Sequence, residues 1–309
     1  MPSRFAARLL GPAVLIGSLG PLAPAAHSVE AAGAMATSPT PTLRRPAVDP
    51  ITGPRSRLPR DWIGTRPIAP DTPILVLAGH ADSQGIGGSG TSGATVAAGG
   101  APMLPGISDE LYWNMAVAEL VVALGQQRGL PISYYRPPLR SIADGNHPST
   151  NWSVGRLHAA AGGYALEIHF DAWGPTGIGS GLIPPLHRPF SRLDESLAEE
   201  FGGYPMGFRD GLGGPRRGIA LLEVGKLEGT LERALRNPST RAATLQHIAT
   251  RIVGALELGL GRNGAQPATT ATTETTTEST AEAPPLSPPP GGVGSAPPAR
   301  GLQASSEGE

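Results

Sequence analysis

Two imidazoles and two carboxylates stand at places in this sequence where metal binding or proton transfer is possible. His80 and Glu223 lie at the ends of the apolar runs TPILVLAGH and IALLEVG, and His169 lies near the end of a third run. Glu110 instead opens a helical pattern. Two histidines and one carboxylate form a ligand set of catalytic zinc sites, in which a fourth position stays open for water. A second carboxylate can take a proton from that water and return it to a leaving amine.

Each of these residues also has a purely structural interpretation. His80 can bond to backbone at a strand end, and Glu110 can interact with the dipole of the helix that it opens. His169 can belong to a solvated strand face. Glu223 is the hardest to explain structurally, because it interrupts an apolar run and an unpaired buried carboxylate is costly. The signals are weak one by one and become more specific as a set.

The stretch GYALEIHFDAWG, residues 163–174, leaves two interpretations open. Glu167, His169 and Asp171 share one face of a predicted strand, and the apolar residues between them share the other. The polar face is either the solvated side of an edge strand or part of a site at the end of a strand. The place of His169 between two other candidate ligands in chain order favours the site.

Strands and helices alternate along the middle of the chain. Apolar runs predict strands at TPILVLAGH, PISYYR, YALEIHFDA and GIALLEVGKL. Helices are predicted at SDELYWNMAVAELVVALGQQRGL, where Ser108 is a suitable N-cap and Gly129 a suitable stop, at TNWSVGRLHAAAGG, and in the last stretch before residue 262. This alternation predicts one α/β domain of three layers, with a mostly parallel central sheet flanked by helices. Sites in such sheets gather at the carboxyl ends of the strands.

Two glycine-rich segments interrupt this pattern. The loop 81–106 follows the first strand, and a polar insertion occupies residues 174–217. The sequence leaves open whether either segment acts as a lid. No phosphate-binding glycine motif opens a helix at the required spacing in the first of them.

Composition excludes several classes of protein. The chain has no cysteine, so it has no disulfide framework, no cysteine-ligated zinc and no cysteine nucleophile. Its formal net charge is −1 and no basic stripe is present, which argues against nucleic acid as the main partner.

The composition along the 309 residues predicts four regions. Basic Arg4 and Arg8, an apolar run and the small residues APA predict a signal peptide at 1–25. The run is shorter than the roughly 20 residues of a membrane span, although an uncleaved anchor stays an alternative. A Pro-rich linker (26–59), a catalytic domain (60–262) and a disordered Thr/Pro-rich tail (263–309) follow. We therefore expect export to the periplasm or cell wall, without stable membrane insertion after cleavage.

Six motifs in the core together carry a family resemblance. LAGHADSQG resembles a strand ending in a DPGHGG-like motif, and ELYWNMAVAELVVAL places an asparagine four residues after a glutamate. YYR and VGRLHAAA resemble an arginine-ended strand and an arginine-containing helix. EIHFDA resembles SIHADA, and LEVGKLEG resembles VEVGFLSN. In this order, from about Pro73 to Gly261, the motifs resemble the zinc-dependent N-acetylmuramoyl-L-alanine amidase family of the amidase_3 type, as a divergent member.

The resemblance implies a zinc exopeptidase/amidase-like fold and a role for each matched residue. His80, Glu110 and His169 would bind one Zn²⁺ per chain, and Glu223 would be the catalytic base. The reaction would be hydrolysis of the amide between N-acetylmuramic acid and L-alanine, with peptidoglycan as the substrate. Residues that could support the ligands or the substrate are Asn114, Arg156, Glu167 and Asp171.

Departures from the family motifs keep alternatives open. Glu167 replaces the family serine beside the second histidine, and Lys226 and Glu228 replace other family residues. One alternative is a zinc-dependent peptidase or amidohydrolase of related fold that acts on another amide. Another is a cell-wall-binding module that keeps the fold without catalysis.

Overall fold

The computed structural model describes residues 48–186 and 189–262. The predicted signal peptide and the predicted tail lie outside these residues, as does the first part of the predicted linker. The last part of that linker is folded: two short strands, β1 (Val48–Asp49) and β2 (Gly53–Pro54), form an antiparallel pair. The folded region that the structure describes therefore begins before residue 60.

The remaining elements alternate as the sequence patterns predict. Strands are β3 (Ile74–Ala78), β4 (Ile132–Tyr135), β5 (Tyr164–Asp171), β6 (Gly181–Ile183) and β7 (Ala220–Lys226). Helices are α1 (Ala94–Ala97), α2 (Asp109–Gln127), α3 (Asn151–Ala160), α4 (Arg192–Phe201), α5 (Gly229–Arg236) and α6 (Pro238–Gly259). Three short 3₁₀ turns lie at Gly174–Thr176, Phe208–Asp210 and Pro215–Arg217.

The central sheet has five strands in the order β4-β3-β5-β7-β6. β3, β4, β5 and β7 are parallel to their neighbours, and only β6 runs antiparallel, at one edge. All eight residues of β5 and all five of β3 are buried, as expected for central strands covered on both faces. The predicted fold class, a three-layer α/β domain with a mostly parallel sheet, is confirmed.

Alternation along the strands divides the core into two parts. Ile168 and its apolar neighbours on one face pack against α2, α4 and α6 in the main hydrophobic core. The opposite face is covered by α3, where Leu77 and Ala165 pack near Trp152. Glu167, His169 and Asp171 lie on this second face and are all buried. The interpretation of these three residues as the solvated side of an edge strand is therefore wrong, because β5 is central and α3 covers it.

Helix α2 begins where the sequence predicts. The Oγ of Ser108 accepts a hydrogen bond from the backbone N–H of Leu111 at 3.2 Å, which is the N-cap geometry. The acidic residues Asp109 and Glu110 occupy the first turn, where the helix dipole favours negative charge. The cap thereby holds Glu110 at the start of a rigid helix.

The insertion 174–217 contains secondary structure that its glycine content concealed. It holds strand β6 and helix α4, and α4 begins with a capping box between Ser191 and Asp194. This S-x-x-D pattern before an amphipathic stretch is a sequence signal for a helix start. Within residues 48–186 and 189–262, no helix has the length and apolar character needed to cross a membrane.

The Ser108 cap generates a first prediction. Ser108→Ala should lower the free energy of unfolding by about 1 kcal/mol, because one N–H in the first turn of α2 loses its partner. Asn237→Ala removes the N-cap of α6, which carries no candidate site residue, and is the matched control. Urea unfolding measures both losses. Equal stability of Ser108→Ala and the wild type would contradict the capping role.

Candidate active site

Two imidazole rings converge on one carboxylate oxygen of Glu110 at the carboxyl end of the sheet. Oε1 of Glu110 lies 3.2 Å from Nε2 of His80 and 3.1 Å from Nδ1 of His169. One potential ligand atom from each residue lies within 4.8 Å of the other two. The two imidazole rings meet edge to face, with centroids 4.8 Å apart. The structure thus brings together the three residues predicted as metal ligands.

The three residues come from separate elements that meet at this point. His169 is on β5, Glu110 is in the first turn of α2, and His80 follows β3. His80 has φ 63°, an uncommon left-handed conformation for a residue with a side chain. Gly79 precedes it, and a Cβ at Gly79 would overlap the imidazole ring of His169. The glycine in the LAGH motif is therefore required by the close approach of that ring.

The glycine-rich loop after β3 supports two of the three side chains. The Oγ of Ser89 lies 3.0 Å from Nδ1 of His80. The backbone N–H of Thr91 donates to Oε2 of Glu110 at 2.7 Å, and the N–H of Glu110 donates back to the Thr91 carbonyl at 3.1 Å. Each of these side chains consequently keeps one polar atom free to point at the shared centre. Sequence analysis did not identify Ser89 or Thr91, since a loop has no periodicity that shows which residue turns inward.

Neighbouring charges and hydrogen bonds shift the pKa values of two residues in the cluster. Burial raises the pKa of Glu110, but the charge of His80 and the hydrogen bond to His169 outweigh this effect and hold that pKa well below its ordinary value. Burial lowers the pKa of His169, but the neighbouring Glu110 and Glu167 outweigh it and raise that pKa well above its ordinary value. The centre is therefore a place where a carboxylate is ionised and a positive charge is favoured.

Glu223 lies on β7 directly beside His169, its register partner on β5. Its Oε2 atom is buried and has no hydrogen-bond partner among the described residues. Burial raises the pKa of this carboxyl to about 8, against the opposing charge of His169. A carboxyl group with an unpaired oxygen and a raised pKa is suited to accept and release a proton near neutral pH.

The four residues predicted to support the ligands or the substrate differ in burial and in the groups that they contact. Asn114 is buried in α2, and its side-chain amide donates to the carbonyl of Gly79 at 3.0 Å, which ties the helix to the histidine loop. Asp171 accepts backbone hydrogen bonds from Ala172 at 2.8 Å and Gly179 at 2.9 Å, so it holds the turn after β5. Arg156 is exposed on α3 and does not line the site cavity.

Glu167, the remaining supporting residue, is buried next to His169. Its Oε2 lies 3.6 Å from Nε2 of His169, and its Oε1 accepts from the side-chain amide of Asn151 at 3.3 Å. Asn151 opens α3 and was not identified from the sequence.

A cavity of about 560 Å³ contains the cluster. His80, Glu110, His169 and Glu223 line it together with Asp82, Glu167 and Asp171. Arg209 is the one lysine or arginine that lines it within the described part of the chain. Both glycine-rich segments supply walls, at residues 86–91 from the first loop and 212–214 from the insertion. The cavity is large enough for part of a peptide or glycan chain.

Two family departures in the last motif hold the start of the insertion. The ammonium group of Lys226 donates to the Gly174 carbonyl at 2.7 Å, and Glu228 accepts from the Gly174 N–H at 2.6 Å. Lys226 and Glu228 also form an ion pair at 2.6 Å. These substitutions therefore have a local structural explanation at the edge of the cavity.

Comparison with solved structures finds chains of similar fold. Three of these neighbours are named as N-acetylmuramoyl-L-alanine amidases. The catalytic domain of CwlV from Bacillus (Paenibacillus) polymyxa var. colistinus is 16% identical, covering 61% of this chain and 98% of that domain with a TM-score of 0.43. Ami1 from Mycobacterium smegmatis is 20% identical, covering 63% and 99% with a TM-score of 0.42. AmiC2 of Nostoc punctiforme is 16% identical, covering 62% and 98% with a TM-score of 0.40.

No protein-family model and no curated protein sequence matches the chain. The three solved neighbours named above carry the family name of the amidases that the six sequence motifs resemble.

The close approach at Gly79 generates a second prediction. Gly79→Ala should weaken the affinity of the cluster for a divalent metal ion by at least about tenfold, because the new methyl group displaces the His169 ring from the shared centre. Gly87→Ala is the control, since a Cβ there meets nothing within 4 Å. Competition with a chromogenic chelator measures both affinities. Equal affinities in the two variants would contradict the steric argument.

The raised pKa of Glu223 generates a third prediction, for the metal-free protein. The folded state keeps its proton to about pH 8, whereas the unfolded chain releases it near the ordinary value of 4.5. The folded state therefore binds more protons between these limits, and this group's contribution to stability declines as pH rises from about 4.5 to 8. Glu223→Gln should lose that part of the pH dependence. Unfolding of both proteins in urea across this pH range measures it, and identical slopes would contradict the assignment.

Proposed function

We propose that this protein is a zinc-dependent hydrolase that cleaves the amide between N-acetylmuramic acid and L-alanine in peptidoglycan. The observation that carries the proposal is the placement of Glu223, with its unpaired carboxylate oxygen, beside the His80–Glu110–His169 cluster in one cavity. An amide hydrolase of this kind needs a metal-ligand set and a neighbouring proton carrier.

The donor set fits zinc better than the hard divalent cations. Two imidazole nitrogens and one carboxylate oxygen form a typical catalytic zinc set, whereas calcium and magnesium prefer oxygen ligands. His80 would bind through Nε2, His169 through Nδ1 and Glu110 through Oε1, since these are the atoms that face one another. The ionised state of Glu110 also suits a cation, because its pKa is held low.

The mechanism assigns proton transfer to Glu223. When bound, zinc would supply Lewis acidity that polarises the amide carbonyl and acidifies water. Glu223 would take a proton from the attacking water and deliver it to the departing alanine nitrogen, which then leaves as a neutral amine. Its buried position lowers the cost of holding that proton, and its place beside His169 on the adjacent strand keeps it within the same cavity. Asp171 and Asn114 would keep the backbone around the site in place. Asp171 holds the turn after β5, and Asn114 holds the Gly79 carbonyl.

The choice of substrate is supported by the sequence motifs. The order of the six motifs from about Pro73 to Gly261 resembles one family of wall amidases. The predicted signal peptide would place the enzyme in the periplasm or cell wall, where peptidoglycan is found. The cavity has walls from both glycine-rich segments, which suits a substrate that is longer than a free amino acid.

A digestion assay tests the proposal and forms the fourth prediction. The purified protein with zinc should release intact stem peptides from peptidoglycan, and a chelator should abolish the release. Glu223→Gln should reduce the rate by about 10²- to 10⁴-fold, because the proton carrier is lost, while zinc content stays near one per chain. Glu199→Gln, at an exposed glutamate of α4, is the matched control and should keep full activity.

Mass analysis of the products separates the alternatives. Free amino acids from small peptides, with intact peptidoglycan, would favour a peptidase or another amidohydrolase. Binding to peptidoglycan without zinc and without any product would favour a wall-binding module. Full activity of Glu223→Gln would remove Glu223 as the proton carrier.

A further inference from the structure

Glu167 has no role in the proton transfer described above, yet it is one of the most buried charged residues of the site. Its side chain is 4% exposed, and it lies on β5 two residues before His169, on the same face of the strand. The amidase motif that EIHFDA resembles has a serine here, so no residue of the family motif matches this carboxylate. A buried carboxylate needs a partner, because its desolvation is otherwise uncompensated.

The orientation of the His169 ring supplies that partner. Its Nδ1 faces Oε1 of Glu110 at 3.1 Å, which leaves Nε2 pointing to the other side of the ring. Nε2 lies 3.6 Å from Oε2 of Glu167, and neither atom has a hydrogen-bond partner among the described residues. A charge-assisted N–H···O bond is about 2.7–2.9 Å long, so a shift of under about 1 Å would form one. No polar group other than this pair competes for either atom within the described residues.

The carboxylate is held from behind. Oε1 of Glu167 accepts from the side-chain amide of Asn151 at 3.3 Å, and the same amide donates to the Ala78 carbonyl at 2.6 Å. The N–H of Asn151 donates to Asp82 at 2.6 Å, which fixes the start of α3. A Cβ at Gly214 would lie 2.9 Å from Oε2 of Glu167, so the insertion covers the carboxylate closely. Glu167 is therefore part of a rigid frame built from β3, α3 and the insertion.

Each of the other two proposed ligands has a hydrogen-bond partner on the side away from the shared centre. His80 has Ser89 on the ring nitrogen that faces away from the centre, and Glu110 has the Thr91 N–H on its second oxygen. His169 would be the one ligand of the three without an outer partner if Glu167 did not serve. Carboxylates commonly hold metal-binding histidines in this way, fixing the tautomer and the ring orientation.

We propose that Glu167 is the positioning residue for His169: it accepts the Nε2–H of the imidazole and thereby leaves Nδ1 unprotonated toward the metal. This inference rests on the proposed function, since it assumes that the cluster binds zinc. The proton transfer assigned to Glu223 does not involve Glu167. Its action on the reaction passes through His169 alone.

Zinc affinity and the histidine tautomer test the inference without any activity measurement. Glu167→Ala should weaken zinc binding by about 10- to 100-fold, measured by chelator competition. Glu167→Gln keeps an acceptor oxygen of similar reach and should bind zinc with an affinity between those of the alanine variant and the wild type. Long-range ¹H–¹⁵N spectra of the zinc-loaded protein should show His169 as the Nε2–H tautomer in the wild type. In Glu167→Ala the spectra should show a mixture of tautomers.

Glu223→Gln is the matched control, because it also removes one carboxylate from the same cavity but changes no hydrogen bond of the His169 ring. Its zinc affinity should remain close to that of the wild type. Folded Glu167→Ala with unchanged zinc affinity and an unchanged tautomer would overturn this inference alone. If that variant fails to fold, the same two outcomes are taken from Glu167→Gln. A wild-type chain that binds no zinc would overturn the proposed function and this inference together.

Discussion

The site is organised around one oxygen atom that two imidazoles approach in the protein interior. Oε1 of Glu110 lies near His80 and His169 at hydrogen-bond distance, in surroundings that exclude most water. An ionised carboxylate in such a place is stable only when positive charge is close to it. The same atoms that satisfy this requirement in the metal-free protein are the atoms that a divalent cation would need.

The parallel sheet makes this convergence possible. Strands β3 and β5 run side by side in the same direction, so their carboxyl ends meet at one edge, where Gly79 allows the rings of His80 and His169 to come together. The next strand, β7, brings Glu223 beside His169 in register. His80, His169 and Glu223, which are up to 143 positions apart in the chain, share a cavity because three strands share a direction, and helix α2 adds Glu110.

The two glycine-rich segments support different residues of the site. The loop after β3 holds His80 and Glu110 through Ser89 and Thr91. The insertion after β5 closes over Glu167 at Gly214. Sequence motifs predicted the candidate ligands but none of the loop residues that contact them. Hydrogen bonds from irregular loops depend on how the loop folds back, and composition does not encode that path.

The sequence by itself determined the order of the four parallel strands and the helices between them, the start of α2 at Ser108 and the choice of four candidate site residues, which the structure brings into one cavity. Local signals suffice for these, since apolar periodicity, caps and short motifs act over a few residues. Only the tertiary structure decided that both faces of β5 are buried, that α4 lies within the insertion, and that Arg156 stays away from the cavity. The tertiary structure also showed that the Glu167 carboxylate lies next to the His169 imidazole. Whether a carboxylate on a strand meets solvent or an imidazole depends on the packing of α3 and the insertion over it, which joins residues distant in sequence.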